Sequence, residues 1–399
     1  MAAIVIQAYP FAAFKDKEED YEMRTAIVTL PLHTNYGGVL QAYALKKSIE
    51  SLGHSAEVID RRDKMFLPPA WKMPLIYMKR VLQNISSGGK GPEVFREKRI
   101  RKEFPYVSSC LVPFIEKEIS PRVVDDYSDI GIGEYDAFVA GSDQIWRPRY
   151  FGNIEDAFLG FTSDWNVRRI SYAASFGTDQ LEYTYEQLER CSSLLKRFDA
   201  VSVREAGALT VCDEWFERED AALVADPVLL LSVDDYKGLA AGTSARPCRG
   251  KVLSYILDPD PSKQSVLNRV KGWVGKEHHD AFVPVQDRSL PLEDRVVPPM
   301  EQWLSCFEDA EFVVTDSFHG CVLSILFHKP FLALANPGRG TSRLLSLLEI
   351  LGLEDRIVQG IDPDDDGEYY ISGIDWDKVD CRLEEMKIRS MDFLRSALK

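Results

Sequence analysis

Short runs of consecutive apolar residues recur along the chain, each closed by a polar turn and followed by a stretch with helical spacing. Residues 24–30 (RTAIVTL) form the first run and read as a buried strand. A polar loop over 31–38 follows. From 39 to 52 the apolar Ala42, Leu45, Ile49 and Leu52 recur at helical intervals, and Gly53 supplies a stop. Residues 56–60 give the next strand. The same grammar predicts strands at 135–140, 169–173 and 200–203 and a helix over 185–198. It restarts after Asp226-Pro227 with strands at 251–257 and 281–285, a helix to about 276, a strand running into Asp316, and the helix 321–327. A strand at 331–335 and a helix over 344–351 follow. Alternation of strand and helix in both halves predicts an α/β fold of two Rossmann-like, doubly wound domains. Two such domains leave a central inter-domain cleft at the carboxyl ends of their strands, and most of the polar turns fall there.

Length agrees with this division, since 399 residues exceed one ordinary domain. The expected boundaries are a loosely ordered extension over 1–22, an N-terminal domain over 23–235, a C-terminal domain over 236–375 and a C-terminal helix over 376–399. The net charge of −15 argues against general nucleic-acid binding, which needs a basic face. No apolar run reaches the roughly 18 residues of a membrane span. The seven cysteines are scattered and contain no C-x-x-C pair, which predicts reduced thiols in a cytoplasmic protein and no metal site. His278-His279 reads as a surface turn.

One stretch departs from the overall charge. Residues 61–103 hold twelve Lys and Arg against four Asp and Glu, accompanied by Trp71, Met73, Leu75, Ile76, Tyr77 and Met78. This basic insert reads either as a solvated helical segment or as a peripheral contact with an anionic membrane face.

Candidate chemistry gathers at the strand ends. His319 stands in the first turn of a helix that follows a strand, where it can hand a proton to a ligand held by the helix N-terminus. Ser317 lies beside it. Arg339 and Arg343 are four residues apart at the start of another helix, a placement for phosphate or carboxylate, although Glu349 or Asp355 could pair with them instead. Arg204 ends a strand and is followed by Glu205, a rival salt-bridge partner. Asn35-Tyr36-Gly37-Gly38 could cradle a phosphate on backbone N–H groups. Ser142, Asp143 and Gln144 offer hydroxyl, carboxylate and amide groups at a second strand end, and Ser175 lies at a third.

In order along the chain, NYGGVLQAYAL (35–45), GSDQIW (141–146), SYAASFG (171–177), SVRE (202–205), Asp226-Pro227 and TDSFHG (315–320) resemble the polysaccharide pyruvyl transferase family, over about residues 25–358. The resemblance implies a GT-B-like pair of domains, the first on the acceptor side and the second on the donor side. It implies transfer of an enolpyruvyl group from phosphoenolpyruvate, as co-substrate with no further cofactor, to two hydroxyls of a sugar in a surface-polysaccharide precursor, giving a pyruvate ketal. It assigns His319 as general acid, with Arg204, Arg339, Arg343 and Ser317 toward the donor. Asn35 to Gly38, Ser142 to Gln144 and Ser175 then line the acceptor side or the cleft. Some members carry Arg-Leu where this chain has Ser317-Phe318, and Arg343 is the cation placed to compensate. The basic stretch 61–103 suits a glycan acceptor carried on lipid pyrophosphate at the inner membrane face. A nucleotide-sugar glycosyltransferase is the alternative, because the same architecture hosts both. A bound trianion near His319 is expected to raise its pKa and switch on the acid.

Overall fold

The computed structural model describes residues 22–61, 70–88, 91–178, 181–336, 341–362 and 364–399. The expected N-terminal extension, up to residue 21, and Arg339 lie outside the described residues.

Strands β1 (Arg24–Val28), β2 (Ser55–Arg61), β3 (Arg122–Val124), β4 (Ala137–Ala140) and β5 (Arg168–Ser171) form one parallel sheet in the order β3-β2-β1-β4-β5. Bridges Ile170↔Ala200 and Ala174↔Val203 continue it toward β6 (Ser202–Val203) and β7 (Ala222–Leu223). The second sheet comprises β8 (Val252–Tyr255), β9 (His278–Asp280), β10 (Phe312–Thr315), β11 (Phe331–Leu334) and β12 (Ile357–Val358), parallel in the order β12-β11-β10-β8-β9. The central strands are buried along their length: every residue of β4, β8, β10 and β11 is buried, as the unalternating apolar runs require. Strand order reverses between β1 and β4 in the first sheet and between β8 and β10 in the second. Those two switch points are where open α/β sheets bind ligands.

The longer helices are α1 (Tyr36–Ser51), α2 (Met73–Ser86), α3 (Arg96–Val107), α4 (Tyr185–Leu195), α5 (Ala206–Phe216), α6 (Val233–Ala240), α7 (Pro261–Val274), α8 (Met300–Asp309), α9 (Phe318–Leu326), α10 (Thr341–Leu351) and α11 (Trp376–Ala397). One apolar core runs from Ile27, Leu40 and Leu45 through Leu253, Trp303 and Leu323 to Leu394, so the two sheets share an interior. Helix α11 crosses back to the first sheet, where Ser390 Oγ accepts from the Ala225 amide at 2.8 Å and Arg168 donates to the Ala397 carbonyl at 3.3 Å. Among the described residues no helix is long and apolar enough to cross a membrane.

Three expectations change. The helix placed at 39–52 starts at Tyr36, so Tyr36, Gly37 and Gly38 are its first turn rather than a loop. Glycines at helix starts score poorly by propensity, yet here Gly37 lets the backbone pack closely against the His319 side chain. The strand expected at 281–285 is instead His278–Asp280, because edge pairing with β8 begins at Val252↔His278. Residues 282–287 then become a wall of the cleft. His278-His279 is therefore strand rather than surface turn, and the His279 ring lies with the thiols of Cys248 and Cys306. The insert folds as α2 and α3, joined by a bidentate Arg80–Glu97 pair at 2.7–2.8 Å.

Candidate active site

Both switch points open on one cleft of about 410 Å³. From the first sheet it is lined by Thr34, Asn35, Tyr36 and Gly37 after β1 and by Asp143 and Gln144 after β4. From the second come Tyr255 at the end of β8 and Leu257 beyond it, Asp316 to His319 after β10, and Asn336, Arg343 and Leu344 after β11. Helices α1 and α9 start at the cleft and α10 starts beside it. The positive ends of these helix dipoles favour an anionic ligand in the space.

His319 is buried in the first turn of α9. Ser317 caps this helix, its Oγ accepting from the Gly320 amide at 3.4 Å. The turn before it is held by Asp316, whose carboxylate accepts from the Leu257 and Asp258 amides, Lys263 Nζ at 2.8 Å and Asn336 Nδ2 at 3.0 Å. On one side the imidazole packs on Gly37: a Cβ at that position would stand within 2.7 Å of the ring atoms Nδ1, Cγ and Cε1. Only glycine gives the ring this place. On the other side Nε2 is buried, lies 3.8 Å from Asp226 Oδ2 and has no hydrogen-bond partner among the described residues.

Beneath the ring is a cluster of charges. Arg204, fully buried, donates to Asp226 Oδ2 at 2.8 Å and to Asp143 Oδ1 at 2.9 Å, and Glu205 lies 3.7 Å away. The Phe318 ring, from the other half of the chain, covers its guanidinium with the centroid 4.5 Å distant. Asp226 also accepts from Ser142 Oγ at 3.0 Å. Asp143, held at a positive φ of 65°, accepts from Asn35 Nδ2 at 3.3 Å and lies 4.0 Å from Arg343 Nη1. A side chain with that backbone stores strain, consistent with a position dictated by function.

Electrostatics follow from this packing. Burial drives the His319 pKa below its ordinary value; Asp226 and Asp143 pull it back up, while Arg204 and Arg343 push it down. Burial alone would raise the Asp143 carboxyl, yet Arg204, His319 and Arg343 overcome it and hold it at about 2. Burial raises Glu205. Burial, then Arg204, lowers the Arg343 guanidinium to about 10.

The sequence-predicted residues thus separate into two groups. His319, Ser317, Arg343, Asn35, Tyr36, Gly37, Asp143 and Gln144 line the cleft. Arg204 does not: the expected direct donor contact is replaced by a buried hub, because its guanidinium is engaged by Asp143 and Asp226. Ser142 and Ser175 likewise serve the frame, Ser175 donating to Glu205 at 2.7 Å and accepting from the Gly177 amide. Gly38 packs on the Asn35 side chain. Sequence reasoning noted the Asp226-Pro227 pair without giving Asp226 a role, and it gave none to Phe318 or to the 282–287 wall. It also missed Trp303, which stacks on Tyr36 at 4.6 Å while Tyr36 donates to the Pro298 carbonyl at 2.7 Å. Asp226 carried a faint signal, a carboxylate before proline at the end of a strand-rich half.

Solved structures of similar overall shape include the glycotransferase of kitacinnamycin, 12% identical with a TM-score of 0.48, covering 95% of this chain and 99% of that one. The UDP-GlcNAc 2-epimerase from Methanocaldococcus jannaschii is 12% identical at a TM-score of 0.45, covering 91% and 92%. The S. aureus MnaA–UDP co-structure is 12% identical at 0.44, covering 91% of each chain. No curated protein sequence matches the chain. The family model for polysaccharide pyruvyl transferase matches residues 35–338, which spans both switch points and every cleft residue from Asn35 to Asn336. The chain belongs to the polysaccharide pyruvyl transferase family.

Proposed function

We propose that this transferase moves the enolpyruvyl group of phosphoenolpyruvate to two hydroxyls of a glycan sugar, with His319 as general acid. The observation that carries the reading is the His319 imidazole at a cleft edge ringed by helix N-termini, one nitrogen toward Asp226 and the other toward Gly37. Phosphoenolpyruvate is a compact trianion, and helix starts plus Arg343 are the groups that would hold it. Arg339 is the further cation proposed there. Protonation of the methylene carbon of phosphoenolpyruvate creates an oxocarbenium-like centre at C2. One sugar hydroxyl adds to that carbon and its proton returns to the imidazole; the second hydroxyl displaces phosphate, which carries off its proton, and closes the ketal ring. In this scheme Nδ1–H delivers the proton, and Asp226, 3.8 Å from Nε2, orients and stabilises the imidazolium. Without ligand, burial lowers the His319 pKa and disfavours the imidazolium. The donor's charge reverses that balance.

The acceptor proposed is a surface-polysaccharide precursor linked to lipid pyrophosphate, met at a membrane face through the insert. Helix α2 and the turn before it support this: Trp71, Leu75, Met78, Leu82 and Ile85, spaced four and three residues apart, are all exposed, Ile85 at 73%. Lys72 and Lys79 accompany them.

Phosphate release from phosphoenolpyruvate, dependent on a glycan acceptor and lost in His319→Ala, is the expected result. Thermal protection by a nucleoside diphosphate, with none from phosphoenolpyruvate, would replace this reading with sugar transfer from a nucleotide sugar.

A further inference from the structure

We propose that Cys248, His279 and Cys306 form a binding site for one thiophilic d¹⁰ cation of the zinc class, separate from the cleft. Two sulfurs and one imidazole nitrogen lie within 4.8 Å of one another. A tetrahedral ion with bonds of ~2.3 Å to sulfur spaces two thiolates ~3.8 Å apart, so small side-chain adjustments close the set. Two thiolates and an imidazole select this class of ion over magnesium or calcium, and they leave one coordination position for water.

The three ligands come from separate places in the second half: the turn before β8, the edge strand β9 and the last turn of α8. Both cysteines are buried, whereas His279 is half-buried on an edge strand, which gives an ion a route from solvent. Loading releases the two thiol protons to solvent.

The position suggests a staple. His279 lies shortly before the 282–287 wall of the cleft, and Cys306 lies one turn after Trp303, on which Tyr36 stacks. An ion here ties α8 to the strand that leads into the wall. It takes no part in the reaction proposed above, and its test does not depend on that reaction.

The full-length protein is purified under reductant, stripped with a chelator and titrated with Cd²⁺, then Zn²⁺. The expected result is one Cd²⁺ per chain with a thiolate-to-cadmium charge-transfer band, displaced by Zn²⁺, and a raised Tm. Cys306→Ser and the half-exposed His279→Ala each weaken binding on the order of tenfold or more, whereas Cys381→Ser leaves it unchanged. Absence of stoichiometric Cd²⁺, undiminished binding in both ligand variants, or a Cys248–Cys306 disulfide in peptide maps of the reductant-purified protein would overturn the site.

Discussion

The floor of the cleft and the surface helix α2 pose opposite problems. Under His319, Arg204 and three carboxylates are buried, and the guanidinium is shared among Asp143, Asp226 and Glu205 at 2.8–3.7 Å. Burying such charges costs free energy that an apolar cluster would not cost, so the arrangement points to chemistry rather than to stability. Helix α2 has no buried residue and turns apolar side chains to solvent. Its exposed apolar side chains are what the proposed membrane contact would cover. One region states what happens to a ligand, the other where the protein meets its surroundings.

The largest effect is expected at the cleft. His319→Ala lowers kcat by ~10²–10⁴-fold, the contribution of a positioned acid, while donor binding measured by calorimetry persists. Arg204→Ala leaves Asp143 and Asp226 buried without their cation and lowers stability by about 3–5 kcal/mol in urea unfolding. A loss within ~0.5 kcal/mol, the range of surface substitutions, would mean that Asp143 and Asp226 do not depend on this cation.

Gly37→Ala is the sharper probe. The new Cβ displaces the imidazole without removing it, and misplacement of this kind costs ~10²-fold in turnover. Because both changes act through one ring, Gly37→Ala adds nothing in a His319→Ala background. Additive losses would show that Gly37 acts elsewhere.

The pH dependence of stability tests the electrostatics. The folded Asp143 carboxyl sits at about 2, below its ordinary 3.8. Its contribution, on the order of 2 kcal/mol, is therefore complete above about pH 4 and lost as pH falls toward 2. His319 acts in the same direction at higher pH, since its folded pKa is lowered: stability from this group is lost as pH falls through its unfolded value. Glu205, raised by burial, opposes both. Asp143→Asn is expected to flatten the acid limb of urea midpoints measured against pH. At the small end, Leu75, Leu82 and Ile85 changed together to Gln leave stability within ~0.5 kcal/mol and abolish flotation with anionic vesicles. Retained flotation would remove α2 from the contact.

The alternation of strands and helices was legible because parallel strands covered on both faces must be apolar throughout, as β4 and β10 are. The position of His319 was legible for the same reason, since a strand end followed by a helix start is visible in residues 312–320. What escaped depends on tertiary approach. Nothing local says that Tyr36 starts a helix, because Gly37 and Gly38 weaken helical propensity and the use of Gly37 is a close contact with the ring of His319, far along the chain. Arg204 read as a ligand cation because a sequence shows its charge but not that two aspartates, 61 residues before it and 22 after it, reach it first. Residues 281–285 have strand composition, yet pairing with β8 selects 278–280.

The most direct measurement is the pKa of His319, followed by NMR of histidine-labelled protein with and without phosphoenolpyruvate. A value below the ordinary histidine range in the free protein that climbs on donor binding is the predicted result. A value that falls or stays put when the donor binds would contradict the account, because the imidazole would then be uncharged when a proton has to be delivered.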